Sequence, residues 1–90
     1  MSIAVLSGSF TSTGQSDSTV VKGCFNLSLS GFGSATVVVE RSFDRGSTWV
    51  SVESFSADAQ RVGVEPENTV MYRLNCTAYS SGTINYRISK

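Results

Sequence analysis

Hydrophobic and polar positions alternate with a period of two along most of the chain, and that period belongs to β-strands. Between Thr19 and Ser30, Val21, Gly23, Phe25, Leu27 and Leu29 fall on one face. Lys22, Cys24, Asn26, Ser28 and Ser30 fall on the other. One buried face and one wet face is the pattern of an antiparallel sheet. Val70 to Tyr79 repeats it, with Tyr72, Leu74 and Cys76 opposed to Arg73, Asn75 and Thr77. Thr83 to Ser89 does so again, with Ile84, Tyr86 and Ile88 inward and Asn85 and Arg87 outward. Ala35 to Phe43 is a strand rich in β-branched valine. Ser2 to Phe10 reads as a first strand or an extended arm, and Thr48–Ser56 and Ala57–Gly63 as two further short strands.

The segments between these runs carry turn chemistry. Thr11 to Ser18 is a polar loop containing Gly14, and Gly31-Phe32-Gly33, Glu65-Pro66-Glu67-Asn68 and Ser80-Ser81-Gly82 are turns. Six or seven short strands at regular spacing predict an all-β fold. The expected form is a small antiparallel β-sandwich, immunoglobulin-like or a related barrel. Ninety residues make one domain. Within it, residues 1–18 form a strand or arm plus a polar loop, and residues 19–90 form the sandwich body.

Ser42 to Trp49 reads Ser-Phe-Asp-Arg-Gly-Ser-Thr-Trp. The pattern Ser-x-Asp-x-Gly-x-Thr-Trp resembles the Asp-box of sialidase-type β-propellers and related β domains. The resemblance implies a fold element that lies away from any active site. A single box cannot build a propeller, whose blades come in multiples. An Asp side chain bonds its own backbone two residues on, and Gly accepts positive φ freely. Ser42, Asp44, Gly46, Thr48 and Trp49 are therefore assigned to a hairpin turn. Thr48 and Trp49 are expected to restart a strand. Val50 and Val52 share a face opposite Trp49 and Phe55, so a bulge beside the turn is needed to bring Trp49 and the valines together into the core.

Seven basic and seven acidic residues leave no net charge, and the basic ones are scattered singly. That argues against nucleic acid as a partner, which calls for a basic surplus on one face. Met1 to Phe10 has no basic leader, and its apolar run is too short for a signal peptide or a membrane span. Synthesis in the cytosol is expected, which makes the sequons at Asn26 and Asn75 accidents of composition.

The absence of histidine removes the commonest general base and metal ligand. Asp44, Glu53, Asp58, Glu65 and Glu67 are read as turn or exposed acids, with no pair placed for catalysis. Neither Asp44 nor the turn containing Glu65, Glu67 and Asn68 offers the six to eight oxygens that calcium takes. No enzyme activity, cofactor or metal is expected. Cys24 on the polar face and Cys76 on the apolar face do not suit an inter-sheet disulfide. Phe32, flanked by glycines, is either a contact anchor at a loop tip or a cover folded back over the sheet edge.

Several segments taken in order carry a wider likeness. They are Thr13–Ser16, Phe25–Gly31, Val39–Trp49, Glu65–Glu67, Tyr72–Tyr79 and Ser81–Ser89. Together they resemble small one-domain virion structural proteins of tailed bacteriophages. The resemblance implies a virion component, foremost a capsid decoration or cement protein that stabilises the head shell. Its partners would be the major capsid protein or other virion proteins, and it would form a symmetric homo-oligomer, with a trimer favoured. A neck, tail or fibre component is the alternative, and a carbohydrate-binding β module a third reading. The resemblance carries no catalytic residues. It often has Gly where this chain has Arg45.

Overall fold

The computed structural model describes residues 4–89, without the side chains of residues 4, 5, 68 and 69. Five strands follow in order: β1 (Ala4–Phe10), β2 (Gly14–Gln15), β3 (Thr19–Ser42), β4 (Val50–Phe55) and β5 (Ala59–Ser89). Every pairing is antiparallel, in the order β1-β5-β3-β4, with β2 also on β5. The all-β fold expected from the alternation is present.

Two of the strands are far longer than the usual five or six residues, because expected turns do not break the ladder. β3 runs on through Gly31-Phe32-Gly33, and β5 through Ser80-Ser81-Gly82. These two sites face each other, with Phe32 opposite Gly82. Gly31 has φ 83° and Gly82 has φ 106°. A Cβ on Gly31 would sit 2.1 Å from the Thr83 carbonyl oxygen, and one on Gly82 would sit 2.5 Å from the Gly33 nitrogen. The two backbones therefore approach closely where both chains can spare a side chain. At Glu65-Pro66-Glu67-Asn68 the turn survives as a bulge: Val21 pairs with Val70 and Gly23 with Glu65, leaving residues 66–69 opposite Lys22 alone.

Register closes the fold. Asn26 to Leu29 pair on one side with Val62 to Ala59 and on the other with Ser89 to Tyr86. Both Thr19 and Arg41, near opposite ends of β3, flank Tyr72. The sheet thus wraps over itself into a small sandwich with a barrel-like corner. Leu29, Val37, Leu74, Ile84 and Ile88 lie between its layers, essentially without exposure. β1 lies along β5, from Leu6 opposite Ile88 to Phe10 opposite Ile84, so residues 4–10 are a strand of the body and not a free arm. Phe10 packs on Tyr86 with ring centroids 4.9 Å apart. Residues 1–3 of the expected first segment lie outside the described residues.

Candidate functional site

The turn from Ser42 to Trp49 is organised by two side chains. The buried Ser42 hydroxyl donates to Asp44 Oδ1 at 2.7 Å and accepts the Gly46 N–H at 2.8 Å. Asp44 Oδ1 also accepts the Thr48 N–H at 2.9 Å, and Oδ2 accepts the Thr48 hydroxyl. These bonds from Thr48 and then Ser42 hold the Asp44 carboxyl down at about 2. Arg45 adopts φ 61° and Gly46 φ 94°. Arg45 thus occupies a left-handed position that glycine would fill without steric cost.

Two expectations at this turn are corrected. Thr48 and Trp49 do not restart the strand, since β4 begins at Val50. Trp49 does not enter the core either. Its indole N–H donates to the Gly46 carbonyl at 3.2 Å, and the Arg73 guanidinium lies 4.2 Å from its ring centroid. Arg73 in turn donates to Glu40 at 2.8 Å. The expected bulge exists, with Val39 opposite Glu53 and Glu40 opposite Ser51. It leaves Val50 and Val52 each 51% exposed instead of turning them inward. Phe32 is half-buried and packs against the core, and its backbone N–H donates to Asp58 Oδ1 at 3.1 Å. Phe32 thus lies within the continuous β3, partly buried against the core, and not at a loop tip.

Glu65 is the residue that sequence reasoning misplaced. It is not an exposed turn acid but lies buried at 1% exposure. Tyr72 donates its hydroxyl to Oε1 at 2.7 Å, Arg41 Nη1 approaches the same oxygen at 3.2 Å, and the Glu67 N–H donates to Oε2 at 3.1 Å. Burial alone pushes this carboxyl up. The Tyr72, Glu67 and Arg41 hydrogen bonds and the Arg41 charge outweigh it, and the net shift is downward. Burial, then the bond to Glu65, pushes the Tyr72 phenol up. No signal near Glu65-Pro66 reveals this, because the inward phase of Glu65 follows only from pairing with Gly23. Among the described residues no group of three His, Cys, Asp or Glu side chains could hold a metal ion. Cys24 is exposed, Cys76 is buried, and both are free thiols.

The surface most open to a partner lies where the two layers end. Among the described residues, β4 pairs only with residues 37–41 of β3, and residues 59–65 of β5 pair only with residues 23–29. These two runs are therefore edges. Arg61 spans the gap between them, 3.3 Å from Glu53 of β4 and 5.3 Å from the Phe55 ring centroid. Beneath it is an apolar groove of about 140 Å³ reaching Phe25, Leu27 and Val39. Val62 and Val64 stand out beside it at 79% and 65% exposure. An apolar face on an unpaired strand offers both buried area and backbone hydrogen bonds to whatever covers it. Comparison with protein-family models, curated proteins and solved structures finds no match to this chain.

Proposed function

We propose that this chain is a structural protein of a tailed-phage virion, foremost a capsid decoration or cement protein. The observation that carries the proposal is the pair of unpaired edges on one side of a closed β body, with four valines exposed to half or more. Such a surface suits docking on a larger assembly, and the ordered likeness to small virion proteins names the assembly. The physical role is mass action: a protein that binds only the assembled shell stabilises it by its binding free energy. A neck, tail or fibre position is the second reading, and copy number separates it from decoration. The carbohydrate-binding reading gains no support from the aromatics, since Trp49 is stacked on Arg73 and Tyr79 donates its hydroxyl to the Gly82 carbonyl. Mass spectrometry and an image reconstruction of purified virions test the proposal. Hundreds of copies on the shell are expected, and particles lacking the chain overturn it.

A further inference from the structure

The edge formed by residues 59–65 differs from β1 and β4 in running without a bulge. Natural edge strands are guarded by bulges, prolines and charged side chains. β4 carries a bulge at Val52. β1 has a register irregularity between Ala4 and Leu6 and presents Ser7 and Ser9 to solvent. Residues 59–65 run without a bulge, from Gly23 opposite Glu65 to Leu29 opposite Ala59. The one basic side chain there, Arg61, is drawn toward Glu53 and Phe55. Val62 and Val64 are left bare on the outer face, with Gly63 between them.

We infer that residues 59–65 form the contact between two copies of this chain, paired antiparallel about a two-fold axis at Gly63. Three features select a second copy as the occupant. The first is side-chain register. A two-fold axis normal to the sheet must set residues of one face opposite one another. An axis at Gly63 then puts Val62 against Val64 of the second copy, twice, at the short spacing of cross-strand pairs. The second is charge. The run is basic at Arg61 and is followed by the exposed acid Glu67, so antiparallel pairing brings unlike ends together and parallel pairing brings like ends together, while the buried Glu65 carboxylate takes no part. The third is termination. Pro66 has no N–H to donate, which stops the ladder just past Glu65 and keeps the contact closed. Zero net charge lets two copies meet without overall repulsion. The result is a two-fold contact in place of the threefold arrangement expected from the sequence. It rests on this edge and not on the virion reading, so either can fail alone.

Light scattering after gel filtration, with the full chain at about 50 μM, tests it, because at that concentration a contact of micromolar Kd is mostly filled. The expected mass is twice that of the chain. Val62→Lys alone and Val64→Glu alone each give monomers, with an unchanged circular dichroism spectrum showing that the fold is kept. Mixing the two variants restores a dimer, because Lys at position 62 of one copy then faces Glu at position 64 of the other. A monomeric or open-ended wild type overturns the inference, as does a variant that stays dimeric. A mixture that remains monomeric overturns the register about Gly63 and the inference with it.

Discussion

Glu65 Oε1 accepts a 2.7 Å hydrogen bond from the Tyr72 hydroxyl inside the fold, joining the first run of β5 to its second. Arg41 of β3 meets the same oxygen. The Tyr72 ring also packs on Phe25 with centroids 5.2 Å apart. The bulge at residues 66–69 is thus clamped at its base by a buried ion that has partners on both oxygens. Removing a partner from a satisfied buried charge costs more than the bond itself contributes, because the desolvated charge remains.

Tyr72→Phe is accordingly expected to lower folding stability by about 1–3 kcal/mol. Glu65→Ala, which strands the buried Tyr72 hydroxyl and leaves the part-exposed Arg41 to solvent, is expected to cost about 1–3 kcal/mol. Urea denaturation of both variants measures the two values. A Glu65→Ala variant as stable as the wild type refutes the clamp.

The same cluster sets an acid-side pH dependence. The folded-state value of Glu65 is depressed, so its contribution is fully present above the ordinary value of 4.5. It is lost as pH falls through the lower folded value. Asp44 acts in the same direction, between its ordinary value of 3.8 and about 2. Stability should therefore fall on acidification through this range. Glu65→Gln should flatten the fall when melting temperature is followed against pH.

At the hairpin turn, Ser42→Ala removes the hydroxyl shared by Asp44 and the Gly46 N–H. A loss of about 1–3 kcal/mol is expected in chemical denaturation. Arg45→Gly is expected to cause no loss, because it relieves about 1–2 kcal/mol of left-handed strain while adding backbone freedom to the unfolded chain. Arg45→Val should be the destabilising member of that pair, since a β-branched residue fits φ 61° poorly.

Trp49 covers the turn from outside, and its truncation should be mild. Loss of its stacking on Arg73 removes about 0.5–1 kcal/mol. Leu74→Ala in the core should cost about 2–5 kcal/mol. Parallel thermal melts test the ordering, and a Trp49→Ala variant as damaged as Leu74→Ala would place the indole in the core after all.

A thiol reagent offers a check on the layers. Cys24 on the outer face should react in the native protein. Cys76, buried and with its thiol pushed up by that burial, should react only on unfolding. One equivalent before denaturant and two after are expected.

The alternation from Thr19 to Ser30, Val70 to Tyr79 and Thr83 to Ser89 assigned inward and outward faces correctly. A period of two leaves a half-buried strand no other choice. The residues of the turn from Ser42 to Trp49 were legible for the same kind of reason, since Ser42, Asp44 and Gly46 act on backbone within four positions of themselves. Sequence by itself therefore determined the all-β class, the strand faces and the local chemistry of the turn. Tertiary structure decided everything that depends on who lies opposite whom. It carried β3 and β5 unbroken through their expected turns, because Gly31 and Gly82 meet there. It left Trp49 outside the core and Val50 and Val52 half exposed, because β4 is an edge with a bulge. It buried Glu65, because pairing with Gly23 turns that carboxylate toward Tyr72 and Arg41. Partners far apart in the chain are chosen by register and layer closure, and no local pattern encodes either.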